Sequence, residues 1–343
     1  MSINTECYWG DIPEMHRHKL IELYNSPYCT QEYMNSFCVS FSLNCFSIYE
    51  EGQIKEIIIF HCDKKKKKII VLNRLFSINV KYLNIFSEFI FHVLKEMNSI
   101  LIHHLLNPIY KGSIYPIICN TFGEDYIIHL PTTKKEYFSK FSFNQQDHTK
   151  RSISKIVKTF INYEIKTFEK ENISEAIVNK IVEMNHLRMK EKNTASDIDS
   201  NYRKSIIDFV KYYGFVSVLE IEGKIVAGVI LYLIGNQYFL ETISHDPEYN
   251  KFSVGHVCLY LTILNCIDKN GQDFHLLWGE SRYKRSFLGE KVPLFSLTIF
   301  RSHFKEIIFI YTNKINSTIS NYMSYSFIKA VLKKNSIIRR LYK

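Results

Sequence analysis

The stretch from Phe215 to Arg301 limits the possible folds of this chain more than any other. Three β-rich runs, Phe215 to Glu220, Ile225 to Ile234 and Gln237 to Ser244, are separated only by the turn pairs Glu222-Gly223 and Gly235-Asn236. Short glycine-containing turns between such runs predict an antiparallel meander. An apolar helix over Val254 to about Asp268 follows, stopped by Asn270-Gly271. It leads to a short apolar strand, Phe274 to Trp278, which ends at Gly279 and releases a polar, aromatic and basic cluster around Arg282, Tyr283 and Lys284. Two strand ends and one helix start thus share an edge, the kind of place where open α/β sheets bind ligands.

Upstream, Ile161 to Phe168 alternates as a strand, Ser174 caps a helix reaching about Lys190, and a second helix over Tyr202 to Tyr213 is stopped by Gly214. The second half therefore reads β-α-α-β-β-β-α-β-α-β. In the first half, Ile12-Pro13 to Tyr24 has the spacing of a short helix. Gln53 to His61 and Lys68 to Asn73 form a hairpin around Lys64 to Lys68. A run of lysines at a hairpin tip is explained by protection of strand edges before nucleic-acid binding need be invoked. Leu83 to Met97 is an amphipathic helix, and Ser99 to Leu106 and Tyr115 to Cys119 are further strands, completing a first α/β domain near Leu130-Pro131. Thr133 and Glu136 have capping-box spacing, Asn144 to Thr149 reads as an interruption, and a basic helix begins at Lys150.

Composition adds bounds. A length of 343 residues favours two domains over one, and 46% hydrophobic residues describe a folded protein. The net charge of +10 suits an anionic partner without choosing one. The eight cysteines form no CxxC pair or His-Cys spacing, so no metal is expected, and reduced thiols point to the cytoplasm. The N-terminus has no signal-peptide pattern, and the longest uncharged run, Ile225 to Leu240, is interrupted and too short for a span. Phe327, Val331, Ile338 and Leu341 interleave with Lys329, Lys333, Lys334, Arg339 and Arg340. That pattern suits a docked helix, or peripheral contact with an anionic membrane at its inner face.

Several segments together carry a family likeness: Leu130-Pro-Thr-Thr-Lys-Lys-Glu-Tyr-Phe138 before a basic helix, Gly223-Lys-Ile-Val-Ala-Gly228 entering a hairpin, Ser253-Val-Gly255 opening the central helix, and Trp278-Gly279 followed by Tyr283-Lys284 and Phe287-Leu-Gly289. In this order the chain resembles the GNAT acyltransferase superfamily, in its two-domain CelD/BcsL-like branch, related to the FemABX transferases. The resemblance implies an α/β (α+β) fold of two tandem GNAT-like domains, each a mixed central sheet flanked by helices. The implied layout is a degenerate first domain over 1–130, linking helices over 131–160, a second domain over 161–305 and a basic helical segment over 306–343. It further implies an N-acyltransferase that moves an acyl group from acyl-CoA to an amine, such as an amino sugar of an envelope polysaccharide precursor. The alternatives are a FemABX-like transferase using aminoacyl-tRNA and an inactive GNAT-fold binding protein supporting envelope or polysaccharide functions.

Acyl transfer to an amine needs a base, an acid for the leaving thiolate and donors for the developing oxyanion. Glu241 is the one carboxylate between Leu231 and Ser244 and is the candidate base, with His245 in reserve; a solvent-facing strand glutamate and an idle loop histidine are the competing readings. The resemblance makes Tyr283 the candidate acid. Ser253, Val254, Gly255 and His256, at the helix start, are the candidate cofactor contacts, through backbone N–H groups aimed at the pyrophosphate. A single glycine there also suits tight helix packing. Trp278, Arg282 and Lys284 are the candidate substrate contacts, against core packing for the tryptophan and a surface cluster for the two cations.

Overall fold

The computed structural model describes residues 2–312. Most of the expected basic segment, 313–343, lies outside the described residues. The first half gives β1 (Ile3–Trp9), α1 (Glu14–Tyr24), α2 (Gln31–Phe37), β2 (Asn44–Glu50), β3 (Gln53–Asp63), β4 (Lys68–Val71), α3 (Val80–Val93), β5 (Ser99–Leu105) and β6 (Ile117–His129). Helices α4 (Lys134–Ser139) and α5 (Phe143–Thr159) link it to the second half. There follow β7 (Tyr163–Glu169), α6 (Glu175–Glu191), α7 (Ser200–Tyr213), β8 (Gly214–Ile221), β9 (Lys224–Ile234), β10 (Gln237–His245), α8 (Val254–Asp268), β11 (Asp273–His275), α9 (Arg282–Ser286) and β12 (Glu290–Phe300).

All twelve strands join one mixed sheet in the order β1-β2-β3-β4-β5-β12-β6-β11-β10-β9-β8-β7. This order contains one topology twice. Strands β1 to β4 and β7 to β10 are antiparallel meanders, and each meander ends on a parallel pair, β4 with β5 and β10 with β11. The last strand of each copy is exchanged: β6 runs antiparallel to β11, β12 antiparallel to β5, and the two meet at the centre. The helices repeat too, a pair after the first strand and one before the fifth. The expected class, mixed α/β with a large sheet flanked by helices, is therefore the observed one. The two halves are sewn together across residue 130, because β6 precedes that position and both its partners follow it.

Local sequence explains most elements. Helix α8 is apolar on nearly all sides and buries Val254, Val257, Cys258, Leu259, Ile263, Cys266 and Ile267, as a helix between core layers must. Ser174 caps α6 and Gly214 ends α7 at the expected positions. The expected interruption over Asn144 to Thr149 is absent. Ser142 and Gln145 form a capping box, and Thr149, Ser152 and Ile156 line one buried face, so the polar run is the first turns of α5. Strand β1 shows no apolar alternation because it is an exposed edge, and β6 continues past Cys119 through exposed residues.

The two copies differ where a ligand groove would open. In the first, β4 and β5 stay joined beyond their ladder: Phe76 and Leu105 bridge in parallel, Leu75 N–H donates to the His104 carbonyl at 2.9 Å, and Leu106 N–H donates to that of Phe76 at 3.0 Å. In the second, β10 and β11 pair only over Gln237 to Phe239 and Asp273 to His275, after which Leu276 N–H donates to Tyr126 on β6 at 2.7 Å. The first copy is zipped shut and the second is open.

One buried carboxyl of the first copy has a measurable consequence. Glu56 is 4% exposed, and burial raises its pKa to about 7, against the opposing contact with Tyr24. Tyr24 Oη lies against the Glu56 carboxyl and also 2.7 Å from the Ile57 carbonyl. Its single proton can go to only one of them, so a protonated Glu56 that donates to Tyr24 satisfies both. Because the folded pKa lies above the unfolded one, this contribution is complete below about pH 4.5 and is lost as pH rises through about 7. Glu56→Gln, which keeps the shape and the donor, is expected to remove that decline and to gain on the order of 2–3 kcal/mol over the parent at pH 8, read from denaturant unfolding across pH.

Candidate active site at the splayed strands

The cleft begins where β10 and β11 part. Leu277 (φ +55°) and Gly279 (φ +87°) swing the chain off the sheet axis, leaving one edge of β10 after Phe239 without a strand partner. The divergent segment is held by Lys284, whose Nζ donates to the carbonyls of Leu277 at 2.7 Å and Trp278 at 2.6 Å. Lys284 is 4% exposed. Burial lowers its pKa to about 8, with Asp125 and Glu124 working against that shift.

Glu241 occupies a β-bulge. On β10, Leu240 faces Leu231 and Thr242 faces Ile230, so Glu241 is the extra residue between them. A bulge re-aims one side chain and is frequent beside functional sites. Here the half-buried carboxyl opens on the cleft and accepts a hydrogen bond from Tyr202 Oη at 2.8 Å. Burial raises its pKa to about 7, opposed by Tyr202 and Tyr232. The Tyr232 hydroxyl is buried beside it and has no hydrogen-bond partner at normal geometry among the described residues.

Two adjoining chambers of the cleft between them hold most of the expected site residues. The larger, about 680 Å³, is walled by Glu241, Trp278, Tyr283 and Lys284, and by Tyr28, Tyr33, Arg74, Arg188 and Tyr202. That volume suits a small-molecule site. The smaller, about 200 Å³, lies at the start of α8 and is lined by Ser253, Gly255, His256 and His245. Arg188, Ile243 and Tyr283 line both and mark the passage between them. Burial raises the Tyr283 hydroxyl to about 12, with Arg188 pulling it back, so it keeps its proton at neutral pH.

The expected site residues thus separate into groups. Glu241, Trp278, Tyr283 and Lys284 share the larger chamber. Ser253, Gly255, His245 and His256 share the smaller one with Tyr283. Val254 points its side chain into the core and brings only backbone to the α8 start. Arg282 is exposed and lines neither chamber. A Cβ on Gly255 would come within 2.8 Å of His245 Nδ1, so this glycine makes room for an imidazole. His245 Nε2 is 2.8 Å from Asn250 Oδ1, and burial lowers its pKa. His256 contacts Thr149 Oγ1 at 2.9 Å, and burial followed by His148 lowers it to about 4, so it is neutral.

Tyr28, Tyr33, Arg74, Arg188 and Tyr202 of the larger chamber were not singled out from the sequence. The first three belong to the zipped copy, whose own groove is closed. Trp278 ties that copy to the cleft through ring contacts with Tyr28 at 5.3 Å and His104 at 4.5 Å. No local pattern marks these residues, since each is brought in by the pairing of the two halves.

Residues 211–285 match the family model of an acetyltransferase (GNAT) domain. The match carries the splay. This GNAT segment runs from the end of α7 into α9 and includes Glu241, His245, Gly255, Trp278, Tyr283 and Lys284. No curated protein sequence matches the chain. Among solved structures, that of FemX is similar with a TM-score of 0.65 at 8% identity, covering 88% of this chain and 98% of FemX. L-PGS from Bacillus licheniformis is similar with a TM-score of 0.52 at 10% identity, covering 89% of this chain and 97% of that one. A conserved protein from Bacteroides thetaiotaomicron gives a TM-score of 0.53 at 12% identity, covering 85% and 99%. At these identities the likeness is one of fold, and it spans both halves around the GNAT segment.

Proposed function

We propose that the chain is an N-acyltransferase that moves an acyl group from acyl-CoA to a primary amine, with the reaction centred in the larger chamber. The observation that carries this reading is Glu241 on its bulge, with a carboxyl near pKa 7, facing a cavity at the splay of β10 and β11 inside the GNAT segment. The backbone around the smaller chamber fits the donor. The free edge of β10 can pair with an extended pantetheine arm as a strand would. The N–H groups of Val254, Gly255 and His256 in the first turn of α8 have no acceptor among the described residues, which suits a pyrophosphate.

When bound, acyl-CoA supplies an activated carbonyl: a C–N bond forms to the amine as the C–S bond breaks, and the products are an amide and a free thiol. Glu241 takes the proton that the amine loses, which a carboxylate of pKa about 7 can do at neutral pH. Tyr283 keeps its proton and stands at the passage between the chambers, where it can hand that proton to the leaving sulfur. Arg188, at the same passage with a buried Nε that has no partner among the described residues, places positive charge beside Tyr283.

Calorimetric titration of the full chain with acetyl-CoA and longer acyl-CoAs tests the reading. Saturable one-site binding, with thiol release on adding an amine, is the expected result. Heat-silent titrations with every acyl-CoA, together with salt-sensitive tRNA binding, would favour an aminoacyl-tRNA-dependent transferase, and silence in both would favour an inactive binding protein.

A further inference from the structure

Arg74 is a cation of the larger chamber that no group answers among the described residues. Lys284 is engaged by two backbone carbonyls, and Glu280 is bound by Arg285 at 2.6 Å. The half-buried Arg74 side chain makes no ion pair and no hydrogen bond among the described residues, although it lines the cavity. Its backbone is held firmly. Ser26 Oγ donates to the Arg74 carbonyl at 2.9 Å and Cys29 Sγ at 3.3 Å. On one side the Asn73 side chain accepts from Ile59 N–H at 2.7 Å and donates to the Ile57 carbonyl at 3.2 Å. On the other, Leu75 turns at φ +51° and donates to His104. A half-buried guanidinium on a backbone so firmly held, with no partner among the described residues, is free to meet an anion that enters the chamber.

The position of Arg74 relative to Glu241 says what kind of anion. Burial raises the Tyr33 and Tyr202 hydroxyls, with Arg74 easing their ionisation and Glu241 opposing it. Arg74 and Glu241 line one chamber together with both phenols and form no ion pair with each other. Tyr28 and Trp278, 5.3 Å apart, give that chamber an aromatic wall for the uncharged body of a ligand.

Building on the acyltransferase reading, we propose that the chamber selects an acceptor bearing an acidic group as well as its amine, with Arg74 as the anchor for a carboxylate or phosphate and Glu241 at the amine. The planar guanidinium suits both oxyanions, since each accepts two parallel N–H bonds. The zipped copy thereby keeps a role as a specificity wall for the open one.

Matched pairs of acceptors test this on the full chain: L-phenylalanine against phenethylamine for a carboxylate, and glucosamine 6-phosphate against glucosamine for a phosphate. Binding is read by calorimetry and thermal shift, and turnover by thiol release from acetyl-CoA. The acidic member of one pair is expected to bind at least about tenfold more tightly than its neutral partner, the scale of a charge-assisted hydrogen bond. Arg74→Gln is expected to erase the difference without changing acetyl-CoA affinity or the ligand-free Tm, and Arg74→Lys to restore part of it. Equal binding within both pairs, no binding of either acid, or a preference that survives Arg74→Gln overturns the proposal. An Arg74-dependent preference in a chain that binds no acyl-CoA would leave the anion site standing and sink the acyltransferase reading alone.

Discussion

Glu241→Gln is expected to lower the rate of acyl transfer by about 10²–10⁴-fold, the usual range for loss of a positioned general base. The amide fills the same bulge and can still accept from Tyr202, so the fold and acyl-CoA binding should persist while proton uptake fails. In the parent, kcat/KM should rise with pH and level off above about 7, as the carboxyl gives up its proton and becomes competent. Tyr202 holds the Glu241 pKa down through its hydrogen bond. Tyr202→Phe should therefore move the inflection to higher pH, whereas Glu241→Gln should remove it. A flat parent profile, or a Gln variant with full activity, would show that another group takes the proton.

Lys284→Met should be the most destabilising single change at the cleft. The lysine is 4% exposed and supplies the donors for the Leu277 and Trp278 carbonyls. A methionine of similar volume leaves those carbonyls without a partner, at an expected net cost on the order of 2–4 kcal/mol, since each buried unsatisfied group costs about 1–3. The pH dependence gives an independent sign. A folded pKa of about 8, below the ordinary lysine value of 10.5, means that between these values the unfolded chain holds the proton more tightly. The parent should therefore gain stability from about pH 8 to pH 10.5 through this group, and the variant should not. Calorimetric Tm values across that range check both points. A Met variant as stable as the parent at pH 7 would mean that the strand end is held open by something else.

Much of the second half was legible because its signals are local. The turns at Glu222-Gly223 and Gly235-Asn236, the all-round apolar α8 and the Ser174 and Gly214 boundaries each act within a few residues. They placed β8, β9, β10 and α8 closely enough to single out Glu241 as the one carboxylate on β10. The misreadings share the opposite cause. Asn144 to Thr149 looked like a loop because its buried face and capping box act together, and β1 went unseen because an exposed edge needs no alternation.

Local chemistry by itself determined the order of elements in the second half, the apolar helix behind the cleft and the polar cluster after Gly279, because periodicity, caps and turn residues act over a few bonds. Only the tertiary structure decided which copy is open, since this depends on whether Phe76 meets Leu105 and whether β11 leaves β10 after Phe239. It also decided that β6 and β12 are exchanged, that Glu241 sits on a bulge, and that Tyr28, Tyr33 and Arg74 wall a chamber more than a hundred residues away in sequence. Such pairings are set by the burial of distant faces against one another, which leaves no mark in any single stretch of chain.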